Sequence, residues 1–309
     1  MNRGRAGAPA FPRLPQMPEN SGMASAAAPA VGFLHPGEMG AALAALTRAN
    51  GHRALWASAG RSAGTGVRAR AAGLADCGTL PALCAQSGIL VSICPPHAAL
   101  ELARAVAAEG YRGIYVDANA ISPRHAREIA GIVAAAGAEF VDAAVVGPPP
   151  LRGRDTRLYL SGPSAAAVAA CFPADRLILE LVGAEPGRAS AIKSFHSSMH
   201  KGSLALLFAT LAAAEGAGVR AELERLFASR PATAAYLDGL DGSVRRASKS
   251  WRFAGEMDEV ADALGEFGLP RGFHAAAAEI YRRLAGLRGA ASEVELAAVL
   301  DSLLGERGR

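Results

Sequence analysis

The sequence predicts an α/β protein: a doubly wound parallel sheet, followed by an all-helical domain joined to it by a long helix. Three observations predict this. Short apolar runs bounded by Gly, Pro and Asp alternate with helical stretches from Pro29 to Leu181; the alternation stops near Gly183; and everything from Ser190 to Leu304 reads helical. Strands and helices alternating at this spacing build a parallel sheet covered on both faces. Alanine is so abundant that periodicity alone overstates helix, so the bounded apolar runs carry the reading.

In order, Pro29 to Leu34 is the first strand and Ala41 to Ala49 the first helix, stopped by Asn50 and Gly51. Ala54 to Ser58 reads as strand, Val67 to Ala72 as helix, Ile89 to Ile93 as strand and Pro96 to Ala108 as helix. Gly113 to Val116, Pro123 to Ala136 and Phe140 to Val146 continue the alternation, and Arg157 to Ser161, Pro163 to Ala170 and Arg176 to Leu181 complete it. A long helix then runs from Ser190 to about Gly218, and the helical remainder is punctuated at Pro231, Gly239 to Gly242, Gly268 to Gly272 and Gly286 to Gly289. The chain divides into a tail over residues 1–27, a sheet domain over 28–188 and a helical domain over 189–309. The tail, rich in Pro, Gly, Ala, Asn and Arg, predicts disorder and lacks the apolar core of a secretory signal.

With 309 residues, 51% hydrophobic and 19% charged, the chain is an ordinary globular one that can core two domains. Its formal charge of +4 carries no basic stripe interleaved with aromatics, which are 6% of residues, so nucleic acid is not an expected partner. Arg124, Arg127, Arg152, Arg154 and Arg157 read as solvated surface. Cys77, Cys84, Cys94 and Cys171 show no CxxC spacing and fit a reducing cytoplasm better than a disulfide scaffold. His196 and His200 stand four apart with nothing else to support a metal, so none is expected. The stretch nearest to a membrane span, Leu204 to Ala214, falls short of the roughly 18 to 20 apolar residues required.

The stretch "GFLHPGEMG", residues 32–40, lies between the first strand and the first helix. A phosphate-binding turn needs a tight opening bend, a second glycine that lets the backbone approach the phosphates, and a third that lets helix and strand pack closely. Gly37 and Gly40 supply the second and third, but His35 stands where the first is usual, and Pro36 pushes it toward an extended conformation. Alone the pattern fits a structural turn better than a phosphate site; strand before and helix after favour a nucleotide held at the helix N-terminus. At the end of the second strand, "LWASAGRS" offers no Asp or Glu for ribose hydroxyls, while Ser58, Arg61 and Ser62 suit a 2′-phosphate. That favours NADP over NAD, unless Arg61 is merely solvated.

The order of these motifs resembles the β-hydroxyacid dehydrogenase family, relatives of 3-hydroxyisobutyrate and 6-phosphogluconate dehydrogenases. Besides the glycine turn, "VSICPPHAA" at 91–99 resembles the segment after the strand lining the cofactor, and "VDANAISPRHAREIA" at 116–130 the family's Asp-x-Ser-x-x-x-Pro segment. "VDAAVVGPP" at 141–149 sits where the family binds substrate, and "AIKSFHSSMHKGSLALL" at 191–207 resembles the long helix bearing the family's lysine. The resemblance implies a Rossmann-type NAD(P)-binding domain joined by a long helix to an all-α domain, and association into a homodimer or higher homo-oligomer. It implies a nucleotide site of Gly32, Leu34, His35, Pro36, Gly37, Glu38, Met39, Ser58, Arg61, Ser62, Ile93, Cys94, Pro95 and Asn119. A small-molecule substrate would meet Asn119, Val146, Gly147, Ser197 and Lys201. Lys193 matches the catalytic lysine, whose amine acts on the substrate oxygen while hydride passes to or from the nicotinamide; burial would bring its pKa toward neutrality. The plain alternative is a surface lysine.

Several positions depart from the family. Val146 replaces a serine that would bind a substrate carboxylate, Pro148 replaces a glycine, Asn119 a serine and Ser197 an asparagine. Glu256 stands about where a cofactor-contacting lysine is usual, so that contact should be absent or changed. His196 reads as packing, and Lys201 as either an anion ligand or a solvated side chain. The expected activity is an NADP-preferring oxidoreductase on hydroxyacid-like alcohols and carbonyls. An imine reductase of the same architecture is the alternative, against which Lys193 argues because those enzymes generally carry Asp or Tyr there. A silent nucleotide sensor is the third, kept open by Val146 and Glu256.

Overall fold

The computed structural model describes residues 29–150, 155–289 and 294–305. The tail over 1–27 and two of the surface arginines, Arg152 and Arg154, lie outside the described residues. The first part of the chain runs β1 (Val31–Phe33), α1 (Glu38–Ala49), β2 (Ala54–Trp56), α2 (Ala63–Ala71), β3 (Ala75–Asp76), α3 (Leu80–Gln86), β4 (Ile89–Ser92), α4 (Ala99–Ala108), β5 (Ile114–Asp117), α5 (Pro123–Ala135) and β6 (Glu139–Val146). It continues with β7 (Arg157–Ser161), α6 (Ala165–Ala169) and β8 (Ile178–Leu181). The rest is helical: α7 (Arg188–Gly216), α8 (Arg220–Ala228), α9 (Pro231–Leu237), α10 (Leu240–Arg245), α11 (Phe253–Glu266), α12 (Gly272–Arg283) and α13 (Leu296–Leu304).

The strands form one sheet in the order β3-β2-β1-β4-β5-β6-β7-β8. All pairs are parallel except β6 with β7. The sheet is thus parallel as predicted but for this one pair, where only residues 147–156 join the two strands and a parallel return takes about a dozen or more residues. The chain must therefore turn straight back. β3 and α3 escaped the sequence reading: β3 is two exposed residues, and α3 is a short helix started by Thr79, whose side chain accepts from the Ala82 amide. Helix α2 begins at Ala63, earlier than its apolar residues suggest, because Ser62 caps it by accepting from the Thr65 amide.

Successive strand residues point to opposite faces, so the sheet has two cores. One gathers Val31, Phe33, Trp56, Val91 and Val141 with Leu43 of α1; the other gathers Leu55, Leu90, Tyr115 and Phe140 with Ile129 of α5. A third, separate core around Phe208, Met257, Val260, Tyr281 and Leu300 builds the helical domain. None of the helices described is long and apolar enough to cross a membrane.

Helix α7 joins the parts, and its first turn is fastened to the sheet. Gly187 precedes it with φ of 95°, in the left-handed region that glycine enters without penalty. Asp142 of β6, fully buried, supplies the cap from a distance: Oδ2 accepts from the amides of Gly187 (3.0 Å) and Ser190 (2.9 Å), and Oδ1 from the Ser190 hydroxyl (2.6 Å). The Ser161 hydroxyl of β7 adds a bond of 3.2 Å to Oδ2. A carboxylate here satisfies amides that a helix start leaves without partners and faces the positive end of the helix dipole. Asp142→Ala is expected to lower stability in chemical denaturation by about 3 kcal/mol or more, since it strands several buried donors. Asp142→Asn, which keeps one acceptor, should cost clearly less; equal costs for the two would remove capping as the explanation.

Candidate active site

Strands β1, β4, β5 and β6 run parallel, so their C-terminal ends share one edge, and the strand order reverses between β1 and β4. Ligands of open α/β sheets bind at such a switch point. The turn after β1 lies here. Gly37 caps α1 in extended conformation, and a Cβ built on it meets nothing within 4 Å, which leaves the approach to the helix amides open. A Cβ on Gly40 would lie 2.4 Å from the His35 carbonyl oxygen and 2.8 Å from Ile93, so this glycine serves helix–strand packing, as the third glycine of such a turn must. Gly32 and Leu34 are placed otherwise than expected for a nucleotide site. A Cβ on Gly32 would strike Ser87 and Leu90, and Leu34 is buried in the core with Leu83, so both pack inward.

Arg61 and Arg68 reach back to the turn: Arg61 donates to His35 Nε2, and Arg68 Nε to the Pro36 carbonyl at 3.3 Å. An acid absent from the second strand arrives from the third, where Asp76 pairs in register with Trp56. Its Oδ1 accepts from the amides of Ser58 (3.1 Å) and Gly78 (2.8 Å), so it anchors the loop that carries Ser58, Arg61 and Ser62. Glu38, exposed at the start of α1 beside Met39, faces Lys249 at 3.5 Å and Arg252 at 3.9 Å across the cleft. Ile93 and Cys94 are half-buried and Pro95 is exposed. The next residue, Pro96, abuts Gly255 of α11, so the position adjoining the cofactor loop is a glycine.

Deeper, the ends of β4 and β5 and the middle of β6 hold a polar network. Asp117 and Asp142 are register partners in adjacent parallel strands and both are buried. Asn119 donates from its backbone (3.0 Å) and its amide (2.8 Å) to Asp117, donates to the Ser92 hydroxyl (3.0 Å), and accepts from the Cys94 amide (2.5 Å). Its amide is thus occupied by the protein itself, and only 2% of the residue is exposed. Asn119 ties β4 to β5 and is not available to hold a nicotinamide or a substrate through its side chain. Burial pushes the Asp117 carboxyl up to about 7; Asp142 beside it adds to the rise, while the bonds from Asn119 and the charge of Lys193 oppose it.

Lys193 stands in the second turn of α7, above these carboxylates. Burial holds its ammonium below the usual lysine value; Lys201 pushes the same way, and Glu256, Asp117 and Asp142 pull it back. It makes no hydrogen bond among the described residues. Its helix neighbours do: Ser197 Oγ donates to Glu256 Oε1 at 2.6 Å, and Lys201 Nζ to Oε2 at 2.5 Å while lying 4.6 Å from the Phe253 ring centroid. The sequence offers Lys201 an anionic ligand or solvent; the structure gives it a partly buried ion pair within the protein. Glu256, from the helical domain, reads in the sequence as a lost or changed cofactor contact; in the structure it bonds Ser197 and Lys201 and lies near Lys193. Despite its burial it remains ionised, held below the usual carboxylate range by Lys201 and Lys193. His196 is exposed rather than packed, its ring 5.8 Å from that of His200. Val146 ends β6 half-buried, and Gly147 turns away at φ of 124° with a Cβ position closed by Asp155 and Thr156.

The two domains are clasped beside this cleft. Carboxylates on α11 cap the start of α5: Glu259 accepts from the Ser122 amide (2.7 Å) and pairs with His125 (2.8 Å), and Glu266 accepts from the Arg124 amide (2.6 Å). Arg124 and Arg127, read as solvated surface, are exposed and in addition pair with Asp262 and Glu266 of that helix. Arg157 pairs with Glu180 on the neighbouring strand. The four cysteines are free thiols.

Residues 214–284 match the profile of a family described only as a domain of unknown function, DUF1932. No curated protein matches the sequence. Among solved structures, the chain is similar to a conserved protein of unknown function noted for its structural similarity with 3-hydroxyacid dehydrogenases, at 32% identity over 83% of this chain and 97% of that one, with a TM-score of 0.61. It is also similar in fold to the 3-hydroxyisobutyrate dehydrogenase of Mycobacterium tuberculosis (18% identity, 90% and 99% covered, TM-score 0.66). A third similar structure is a reductive aminase from Aspergillus terreus in complex with an NADPH form, cyclohexanone and allyl amine (19% identity, 89% and 99% covered, TM-score 0.54).

The raised pKa of Asp117 has a sign that stability measurements can read. The folded chain keeps a proton on Asp117 up to about pH 7, whereas the unfolded chain releases it in the ordinary carboxylate range. Its contribution is therefore full at low pH and is lost as pH rises through about 7. The stability difference between the wild type and Asp117→Asn should shift against the wild type between about pH 4 and 7 and level off above that. A difference independent of pH across that window would show Asp117 to be ionised throughout.

Proposed function

The chain belongs to the β-hydroxyacid dehydrogenase family, a family of nicotinamide-nucleotide oxidoreductases, and we propose that it is an NADP-preferring member acting on a hydroxyacid-like alcohol or its carbonyl, with Lys193 as general acid and base. The observation that carries this reading is the Lys193 amine: half-buried, close enough to Asp117 of β5 and Asp142 of β6 to feel both, and unspent on any hydrogen bond among the described residues. The turn fits the nucleotide. Its second glycine is open, its helix amides face the switch point, and Arg61 stands beside it with no acidic partner among the described residues. The bound nicotinamide supplies or accepts the hydride.

The chain's own residues do the rest. In reduction the Lys193 ammonium donates a proton to the substrate oxygen as charge develops there; in oxidation the neutral amine takes the hydroxyl proton. Lowering the amine's pKa makes its neutral form easier to reach, which the oxidative direction needs. Glu256 keeps Lys201 neutralised, so that the second ammonium does not drive the first to lose its proton altogether. Ser197 and Lys201 are engaged with Glu256, and β6 ends at Val146 without a hydroxyl. The carboxylate-binding set of a short hydroxyacid site is therefore not assembled, and this supports a bulkier substrate.

Lys193→Ala should reduce turnover by on the order of 10²- to 10⁴-fold while leaving NADPH affinity nearly unchanged. The substrate is to be found by screening hydroxyacids, aldehydes and cyclic imines with NADPH. Wild-type turnover in the variant would end the proton-transfer role.

Self-association also belongs to this reading. Helix α7 exposes Phe195, Met199 and Leu206, and Phe267, Leu269 and Phe273 lie exposed on neighbouring segments, with the Phe195 and Phe267 rings 6.0 Å apart. Such a patch is more than isolated surface residues and suits a second copy of the chain. Light scattering should show a dimer or larger assembly that Met199→Asp dissociates, and a monomeric wild type at micromolar concentration would remove the proposal.

A further inference from the structure

The turn differs from the family pattern chiefly at its first position, and there two arginines of the second βα unit converge. The backbone does not require glycine at this position: among the described residues positive φ occurs only at glycines, so His35 sits in ordinary backbone space and its side chain is tolerated. What the side chain does follows from its partner. A guanidinium has donors and no acceptor, so a ring nitrogen that meets Arg61 must itself accept. His35 Nε2 is that acceptor, and the imidazole is then neutral with its proton on Nδ1. Burial, helped by Arg61, pushes its pKa down to about 4, so this form persists at working pH.

The pair is incomplete as it stands. His35 Nδ1 and Arg61 Nε are enclosed without hydrogen-bond partners. Arg61 has no acidic side chain in ion-pair contact among the described residues, and the carboxylate that reaches its loop, Asp76, is engaged by the Ser58 and Gly78 amides. A guanidinium partly withdrawn from water without a counter-charge is unfavourable, and so are enclosed, unmatched N–H groups. An anion meeting the solvent-facing side of the Arg61 guanidinium would supply the missing counter-charge. Arg68, bonded to the Pro36 carbonyl and to Thr65 Oγ1, stiffens the same corner and adds positive charge.

We propose that His35 determines cofactor choice: its imidazole is the post that holds Arg61 beside the glycine turn, where the guanidinium meets the 2′-phosphate that distinguishes NADPH from NADH. The inference rests on the oxidoreductase reading for the nucleotide, and adds to it a role for the turn's first residue. His35 acts through Arg61 and is a positioning residue for it.

The test is fluorescence titration of the full chain with NADPH and with NADH, in the wild type and in His35→Gly, His35→Gln, Arg61→Ala and the His35→Gly/Arg61→Ala double variant. The wild type should favour NADPH. Arg61→Ala should lose NADPH affinity on the order of 10- to 100-fold with NADH affinity unchanged, and His35→Gly should lose a comparable factor although it restores the family's glycine. His35→Gln, which still offers Arg61 an acceptor, should recover much of the preference, and the double variant should be no worse than Arg61→Ala. NADH affinity serves as the check that each variant is folded. If His35→Gly keeps the wild-type preference, or weakens both nucleotides alike, the inference is overturned while the oxidoreductase reading stands. A wild type that binds neither nucleotide overturns both.

Discussion

The carboxylate of Asp142 is where sheet and long helix become one body. It leaves β6 inside the core and closes the start of α7, accepting two backbone amides and two hydroxyls. The arrangement is economical because three needs meet in one group: the helix start needs acceptors, its dipole favours a negative charge, and a buried carboxylate needs donors. Lys193, Ser197 and Lys201 follow at four-residue intervals on that helix, so their height above the sheet is set by this single attachment. Without it, the amine has no defined relation to the strand tips.

Around that attachment, charges alternate across the two domains. Asp117 and Asp142 lie side by side in a dry interior, where two carboxylates resist ionising together, and Asp117 accordingly rises to about 7. Lys193 lies over them and Glu256 comes down from α11, itself paired with Lys201. No member of this series is set by its own domain alone. The clasp of Glu259, Asp262 and Glu266 onto α5 therefore matters for chemistry as well as for cohesion, because it keeps Glu256 at its distance from the sheet carboxylates.

At the other end of the cleft, the turn after β1 shows that a glycine pattern encodes two separable demands. Close packing of helix on strand cannot be negotiated, since a side chain at Gly40 would lie 2.4 Å from the His35 carbonyl oxygen. The opening bend can be, since His35 makes it without a positive φ. Relaxing that second demand frees a side chain at the mouth of the turn, and Arg61 uses it.

The alternation of strands and helices, the stop near Gly183, the long helix and the packing role of Gly40 were legible in the sequence because each is a local pattern of period, cap or spacing, whereas the lysine on that helix stood out only through the family resemblance. Boundaries of α2 and α7 moved by a few residues once their caps were seen, and β3 was too short and too exposed to register. What only the tertiary structure decided is which polar groups are spent on one another. Asn119 looks like a ligand residue until Asp117, Ser92 and the Cys94 amide use all of its amide group; Ser197 and Lys201 look free until Glu256, 59 and 55 residues away, takes both. Local sequence determines where a side chain leaves the backbone, but hydrogen-bond and charge partners are chosen by folding, which brings distant residues within 3 Å of each other. Lys193, singled out in the sequence through its resemblance to the family lysine, gains from the tertiary structure its burial and its setting among Asp117, Asp142 and Glu256.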